Sequence, residues 1–497
     1  MHWEAGMTEE PKNASVPKQR GVFKPGRNCP RISQVERGKV LIDGANYFAQ
    51  LDACFETAGR SIVIVGWDFD ANTRLTPDLH GGGISLGDRL RSLVDERPDL
   101  EIHILVWSLA AAHGPSRGLP LILGEQWHAH PRIHLKLDRN HPIFGSHHQK
   151  IVIVDGTIGF TGGIDLTVGR WDTPHHPAHD LRRNEGEGDP THPVHDCQIM
   201  ISGPIVNDLT AIAVKRWRAA TGAEPNFAGV PMDSSWWPKR ETSDLEHVPA
   251  AVATTEPGLW RRKQSWHSAI LAADVFRTAR SVVYIENQYF AGELARQVLP
   301  DLLLRENGPE IVVVTTNTMN GRVEQISNGR NRDRLIRHLK RFDRHDRLRV
   351  FYPVRDERGK RTEIFIHSKI AIVDDHVLRI GSANLNNRSI GVDSECDVAI
   401  EANRSQASAA IAGIRYRLIA EHLGVGMDTL LGVAQRAGSL IAAIEKLNGG
   451  TRSLVPFPAL CDRGQLNPGL GTRLFDPIAP YGSLKWLRGS IDFSAPV

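Results

Sequence analysis

No window of this 497-residue chain holds the 18 or so uninterrupted apolar residues that a membrane-spanning helix needs. The opening stretch, MHWEAGMTEEPKNASVPKQR, has no apolar segment of signal-peptide type, so export through a cleaved leader is not expected. Cysteine is scarce: Cys29, Cys54, Cys197, Cys396 and Cys461 are odd in number, and none forms a CxxC pair. That spacing argues against a disulfide framework and a cysteine zinc site. An excess of either charge is missing too. The 60 basic and 57 acidic side chains leave a formal net charge of +3, unlike a dedicated nucleic-acid coat. Hydrophobic residues at 41% and charged residues at 24% are ordinary globular values, not those of a disordered chain. A chain of this length can bury a core large enough to need neither disulfide nor metal. The expected setting is cytoplasmic or peripheral at a membrane, with secretion by a route lacking a classical signal peptide left open.

What the chain does contain is a copy of itself. RSIVIV (60–65) returns as RSVVYI (280–285), 220 positions on. EIHILVWS (101–108) returns as EIVVVTTN (310–317), and HHQKIVIVDG (147–156) as IHSKIAIVDD (366–375), the last pair 219 positions apart. Three pairs in one order at nearly one offset indicate a duplicated module. The β-branched runs predict strands, and LGDRLRSLVDE (86–96) and ELARQVLPDLLLREN (293–307) predict helices between them. Such alternation predicts an α/β fold of two similar lobes, each a mixed or mainly parallel sheet flanked by helices. Composition divides the chain into an N-terminal arm (1–40), lobe one (41–222), a linker (223–258), lobe two (259–425), and a C-terminal helix with a loop-rich tail (426–497).

The repeat carries His-x-Lys-x4-Asp twice, as His148, Lys150 and Asp155 and as His367, Lys369 and Asp374. Residues two apart on a strand face the same way, so each His and Lys share a face. Asp155-Gly156 is a strong hairpin signal. Both motif aspartates join the catalytic candidates, although a turn role suits them better than proton transfer. Past the turn, Gly162, Gly163 and Asp165 match Gly381, Ser382 and Asn384. Glycine lets backbone approach an anion, and Ser and Asn can donate to it. Two facing histidines can split a phosphodiester displacement into two steps, one attacking phosphorus and the other protonating the leaving oxygen. Two lysines stabilise the non-bridging oxygens, so neither metal nor cofactor is required. Each histidine needs an orienting carboxylate. Comparing HDCQIMIS (195–202) with SECDVAIE (394–401) nominates Asp196 and Glu395, with Asp172 second choice in lobe one. Lobe one carries an insert near 172–193, with His175, His176 and His179, expected to be a solvated loop rather than a metal site. The basic stretch 330–349 reads as a solvated helix face, and GGGISLG (81–87) as a turn.

The doubled HxKxxxxD motif, with GGIDLTVGRWD (162–172), YIENQYF (284–290) and IGSANLNNRS (380–389), resembles the phospholipase D superfamily, its eukaryote-type members in particular. The resemblance covers residues 45–425. It implies two lobes about a pseudo-twofold axis, sharing one site. It implies His148 and His367 as nucleophile and general acid/base, with His148 favoured as nucleophile. Lys150, Lys369 and Asn384 match phosphate-binding positions, with Ser382 in support, and Asp196 and Glu395 match histidine-orienting carboxylates. Lobe one has GGID where the simpler pattern is GSxN, so Asp165 is not expected to touch phosphate. The implied reaction is hydrolysis of a glycerophospholipid's distal phosphodiester to phosphatidate and free head group through a phosphohistidine, with transphosphatidylation to alcohols. The alternatives are a cardiolipin-synthase-type phosphatidyltransferase, or a superfamily nuclease or phosphodiesterase. The implied partners are a phospholipid at a membrane surface, met peripherally, and water or a primary alcohol. Nucleic acid is not expected, and the catalytic unit is one chain without cofactor. Head-group preference is expected to involve loops around Trp171, Trp236 and Trp237.

Overall fold

The repeated β-branched runs become the middle of one long sheet. The computed structural model describes residues 21–109, 126–183, 191–225, 237–238, 241–258, 264–319, 328–469, 471–481 and 493. The first half supplies β1 (Ser33–Ile42), β2 (Ser61–Gly66), β3 (Glu101–Trp107), β4 (Ile133–Asp138), β5 (Ile151–Val154), β6 (Ile158–Gly162), β7 (Val194–His195) and β8 (Cys197–Ser202). The second supplies β9 (Leu245–Glu256), β10 (Ser265–Trp266), β11 (Val282–Asn287), β12 (Glu310–Val314), β13 (Leu348–Glu357), β14 (Lys360–Glu363), β15 (Phe365–Ile366), β16 (Lys369–Val373), β17 (Val377–Gly381), β18 (Glu395–Glu401) and β19 (Arg452–Pro456).

Hydrogen bonding orders the first half as β4-β3-β2-β5-β6-β8-β1. The second runs β9-β18-β17-β16-β11-β12-β13-β19. The same order is written twice, and β1 and β9 join the halves antiparallel, from Ser33 opposite Ala250 to Gly38 opposite Leu245. Within this sheet the parallel pairs are β2-β3-β4 and β11-β12-β13, where the connections must cross over.

Helices pack on one face of the sheet and make three of the four crossovers, the β3–β4 connection lying partly outside the described residues. α1 (Gly44–Phe55) and α2 (Leu86–Glu96) pack their apolar stripes, Tyr47, Phe48, Leu51, Leu90 and Leu93 among them, on Ile62, Ile64, Ile102 and Val106. Ser85 caps α2 by accepting from the Asp88 amide. In the second half α4 (His267–Arg277), α5 (Glu293–Leu304) and α6 (Arg330–Lys340) do the same. Two long helices, α3 (Ile205–Thr221) and α8 (Ser405–Leu423), cover the other face. Leu209 and Ile411 there belong to one buried cluster with strand residues of both halves, such as Ile199 and Val398. The lobes therefore share a core. Shorter helices α7 (Asn387–Gly391), α9 (Met427–Ala437) and α10 (Leu440–Leu447) belong to the second half and the C-terminal region.

The fold class matches the sequence reading, but three segments differ from it. The polar arm contains β1, and Val22, Phe23 and Cys29 are buried in the core of the second half. Its polar residues Gln34, Glu36, Arg37 and Lys39 are interleaved with buried Val35, Gly38 and Val40 along the strand. The linker contains β9, a central strand. Pro249 lies where β9 pairs only β1, just outside the β18 ladder, so its missing N–H breaks no bond there. The expected C-terminal helix is split into α9 and α10, and the loop-rich tail contributes β19, which extends the sheet edge at β13. Among the described residues no helix is long and apolar enough to cross a membrane.

Candidate active site

Lys150 directly precedes β5 and Lys369 opens β16, so the two motifs stand at corresponding strand starts in the two halves. Each His segment is stitched to the other half. The His148 amide donates to Ser394 O at 2.9 Å, and His147 forms a parallel bridge with Ser394. The His367 amide donates to His195 O at 2.8 Å, continuing the parallel β7–β15 ladder. Each crossing strand brings in the residue just beyond it. His148 Nδ1 lies 3.0 Å from Glu395 Oε2, and His367 Nδ1 lies 2.6 Å from Asp196 Oδ2. The acids nominated from sequence are both at the site, but each serves the histidine of the opposite half. No periodicity or spacing carries that exchange; it comes from tertiary pairing between segments about 200 residues apart.

Burial pushes both imidazoles well below the ordinary histidine range. Positive charge adds to this, from Lys150 and Lys369 at His148, and from Lys369, Arg170 and Lys150 at His367. Free of substrate they are therefore neutral at neutral pH. A proton on Nδ1, aimed at a carboxylate, leaves the Nε2 lone pair available. Burial also pushes the Glu395 carboxyl up to about 8, against two serine hydroxyls that favour its anion. Those are Ser382 Oγ, donating to Oε2 at 2.5 Å, and Ser389 Oγ, donating to Oε1 at 2.7 Å. Burial raises Asp196 as well, opposed first by the Lys369 charge, and its Oδ1 accepts from the Cys197 amide at 2.7 Å.

The two lysines are not equivalent. Lys150 Nζ lies 3.0 Å from Asp165 Oδ2, donates to His148 O at 2.9 Å and stands 5.9 Å over the Trp67 ring. Asp165 is held in turn by the Trp67 amide at 2.9 Å. Asp165 thus neutralises a lysine. In the second half its counterpart is neutral Asn384, whose buried Oδ1 has no hydrogen-bond partner. Lys369 Nζ donates to Gln288 Oε1 at 3.1 Å and to His367 O, and among the described residues no carboxylate stands within ion-pairing distance, Asp196 acting on it only through its charge. Burial drops its ammonium to about 7. One lobe offers a compensated cation and the other a labile one.

Other candidates lie elsewhere. Asp155 and Asp374 sit at the far ends of β5 and β16 and accept from backbone amides: Gly59, Arg60 and Ser61 for Asp155, and Arg280, Ser281 and Val282 for Asp374. Both have positive φ, 52° and 50°. They pin the starts of β2 and β11, as a turn role requires, and are not beside the histidines. Asp172 orients neither catalytic histidine; it accepts from His176, Arg183 and the Val194 amide. The insert is not a solvated loop throughout, because His176 is fully buried. Trp171 and Trp237 pack into the lobe-one core and cannot shape a head-group pocket directly, and Trp236 lies outside the described residues. The basic stretch is mostly paired or packed: Arg332 is buried on Phe457 and Arg337 meets Asp462. Sequence reasoning missed Trp67, edge-on to His148 at 6.4 Å and stacked on Trp107, and it missed Arg170. Trp67 and Arg170 carry no motif of their own, although Arg170 lies within the quoted GGIDLTVGRWD.

Comparison with known proteins agrees with this geometry. A family model for phospholipase D matches residues 133–296 and 340–438, together more than half of the chain. Phospholipase D alpha 1 of Carica papaya is 24% identical over 540 residues, covering 79% of this chain and 66% of the relative. Phospholipase D A of Dictyostelium discoideum is 24% identical over 80% of this chain and 36% of its own length. The chain thus spans less than two thirds of the length of these relatives. Among solved structures, a phosphatidylserine synthase of Haemophilus influenzae aligns with a TM-score of 0.54 at 13% identity, covering 79% of this chain and 89% of that one. That likeness is one of fold.

Proposed function

The chain belongs to the phospholipase D family, and from that membership we propose that it hydrolyses the distal phosphodiester of glycerophospholipids through a phosphohistidine. The observation that carries the reading is the reciprocal pairing of two histidines with buried carboxylates, each Nδ1 facing the acid of the other half. His148 Nε2 attacks phosphorus as the bond to the head-group oxygen breaks. The anionic phosphate, seated between Lys150 and Lys369, offsets the positive charge that otherwise holds the imidazoles neutral. His367, backed by Asp196, then carries a proton on Nε2 and gives it to the leaving alkoxide. Water attacks the phosphorus next, His367 takes its proton, the P–N bond breaks, and phosphatidate leaves. A primary alcohol in place of water yields a phosphatidyl alcohol. Lys150, Lys369, Ser382 and Asn384 are assigned to the phosphate, directly or through the groups they hold.

Both half-sites lie in one chain, so one chain suffices as the catalytic unit, working peripherally at a lipid surface. The same intermediate would serve a cardiolipin-type phosphatidyltransferase, and a related mechanism a nuclease. A panel of phospholipids incubated with a primary alcohol, products read by mass, separates the three. Phosphatidate and phosphatidyl alcohol are expected, with His148→Ala and His367→Ala each slower by at least about 10³-fold. Near-wild-type turnover by either variant would falsify the paired-histidine mechanism. Cleavage of single- or double-stranded nucleic acid without lipid turnover would sink the lipid assignment.

A further inference from the structure

Behind His367 and Asp196 lies a second cluster that phosphoryl transfer does not use. Asp43 precedes α1, His176 stands in the lobe-one insert, His195 is on β7, and Glu421 is in the last turns of α8. One ligating atom from each lies within 4.8 Å of the others. The side chains of Asp43, His176 and His195 are fully buried, and that of Glu421 is 8% exposed. His195 Nδ1 is 2.9 Å from Glu421 Oε1 and 3.1 Å from Asp43 Oδ1. His176 Nε2 is 3.2 Å from Glu421 Oε1 and 3.6 Å from Asp43 Oδ2. Ligands placed tetrahedrally about zinc at 2.0–2.2 Å stand about 3.3–3.5 Å apart, and the four separations bracket that edge.

Two further observations point the same way. The outward nitrogen of each histidine meets another buried carboxylate: His176 Nδ1 lies 3.0 Å from Asp172 Oδ2, and His195 Nε2 lies 2.9 Å from Glu286 Oε2. Those acids are themselves held, Asp172 by Arg183 and the Val194 amide, Glu286 by Tyr284, Ser368 and His422. Carboxylate–histidine pairs of this kind fix the ring and turn its other nitrogen towards a metal. The second observation is Asp43. It occupies the N-cap position of α1, yet its side chain makes no capping bond. Both its oxygens are buried and without a well-aligned hydrogen bond, His195 Nδ1 standing 3.1 Å from Oδ1 but aligned on Glu421. The two inward nitrogens have at most one hydrogen each, and both are directed at Glu421 Oε1. Protons alone therefore leave two buried carboxylates, Asp43 and Glu421, sharing the single hydrogen that each inward nitrogen can offer, which is costly.

We propose that Asp43, His176, His195 and Glu421 bind one divalent transition-metal ion, zinc by its set of two imidazoles and two carboxylates. The ion does not touch the reacting phosphate. It fastens α1, the insert and β7 of the first half to α8, which lies C-terminal to the second half's last catalytic strand. It also sets the backbone beside the catalytic pair, since His195 precedes Asp196, and Ser368, bonded to Glu286, adjoins His367.

The test uses the full chain, loaded with Zn²⁺, desalted, and analysed for metal and thermal melting. About one zinc per chain is expected. Dipicolinate should lower the melting midpoint, added Zn²⁺ should restore it, and Co²⁺ in its place should show the visible absorption of a four-coordinate ion. The paired substitution His176→Gln with Glu421→Gln should abolish binding. Should that variant misfold, chelation and reloading of the wild type still decide the matter. Wild-type protein that takes up neither Zn²⁺ nor Co²⁺ and melts identically in chelator would overturn the proposal in favour of imidazolium–carboxylate pairing alone. Stoichiometric zinc retained by the folded double variant would overturn it as well.

Discussion

Replacing Asp155 with alanine separates a structural aspartate from a catalytic one. Its carboxylate accepts from the Gly59, Arg60 and Ser61 amides at 2.7, 2.8 and 2.8 Å, and the residue is 6% exposed. A hydrogen bond to a charged group is worth about 1.5–3 kcal/mol, so three set a ceiling of about 9 kcal/mol. The true cost is lower, because Gly59 and Arg60 are exposed and water can reach their amides, whereas Ser61 is buried. Alanine at φ 52° adds about 1–2 kcal/mol. The expected loss is therefore about 3–5 kcal/mol. Asp374 makes the equivalent contacts at 3.0, 2.8 and 2.9 Å, but Arg280 and Ser281 are exposed and Asp374 itself is half-buried. Asp374→Ala should cost less, about 1–3 kcal/mol. Urea midpoints give the stabilities, and kcat per folded molecule gives the chemistry, which should be unchanged in both. An unshifted midpoint with kcat reduced by about 10²–10⁴, the worth of a general acid or base, would refute this assignment.

The site leads to two other expected outcomes. Glu395→Gln leaves the His148 ring with a neutral partner that no longer fixes its proton on Nδ1, and single-turnover rates should drop by about 10²–10⁴; a loss under about tenfold would contradict the orienting role. In pH profiles, the Glu395 carboxylate fills as pH rises towards about 8, while the Lys369 ammonium empties as pH rises through about 7. kcat/KM should therefore peak between those values, and Lys369→Arg, always charged, should remove the falling limb. A profile flat from about pH 6 to about pH 9 would rule this out.

The repeated strands were legible in the residues, because β-branched runs recurring in one order at similar offsets leave little else to be. Both His-Lys pairs and both orienting acids came from aligning the chain with itself. The acid exchange was not legible, because pairing β7 with β15 and Ser394 with His147 depends on how two lobes dock. β1 and β9 were hidden by composition. β1 interleaves glutamate, arginine and lysine with its buried residues, and the middle of β9 is built from small residues and one proline, beside a Pro-rich stretch. His176 reads as solvated for a like reason. Neighbouring His175, Pro177 and His179 look like a loop, and only the fold brings Asp43, Asp172 and Glu421 around it.

The crossing of the acids also sets a clock. His148 and Glu395 are 247 residues apart in the chain, and at a ribosomal pace of about 5–20 residues per second the second is made roughly 12–50 s after the first. Through that interval the nascent first half carries a histidine whose ring nothing orients and a lysine already neutralised by Asp165. On the proposed function, a chain released early, or cut between the halves and separated, should be inert towards phospholipid. The proposed phosphodiester chemistry would then switch on only when the last third of the molecule arrives.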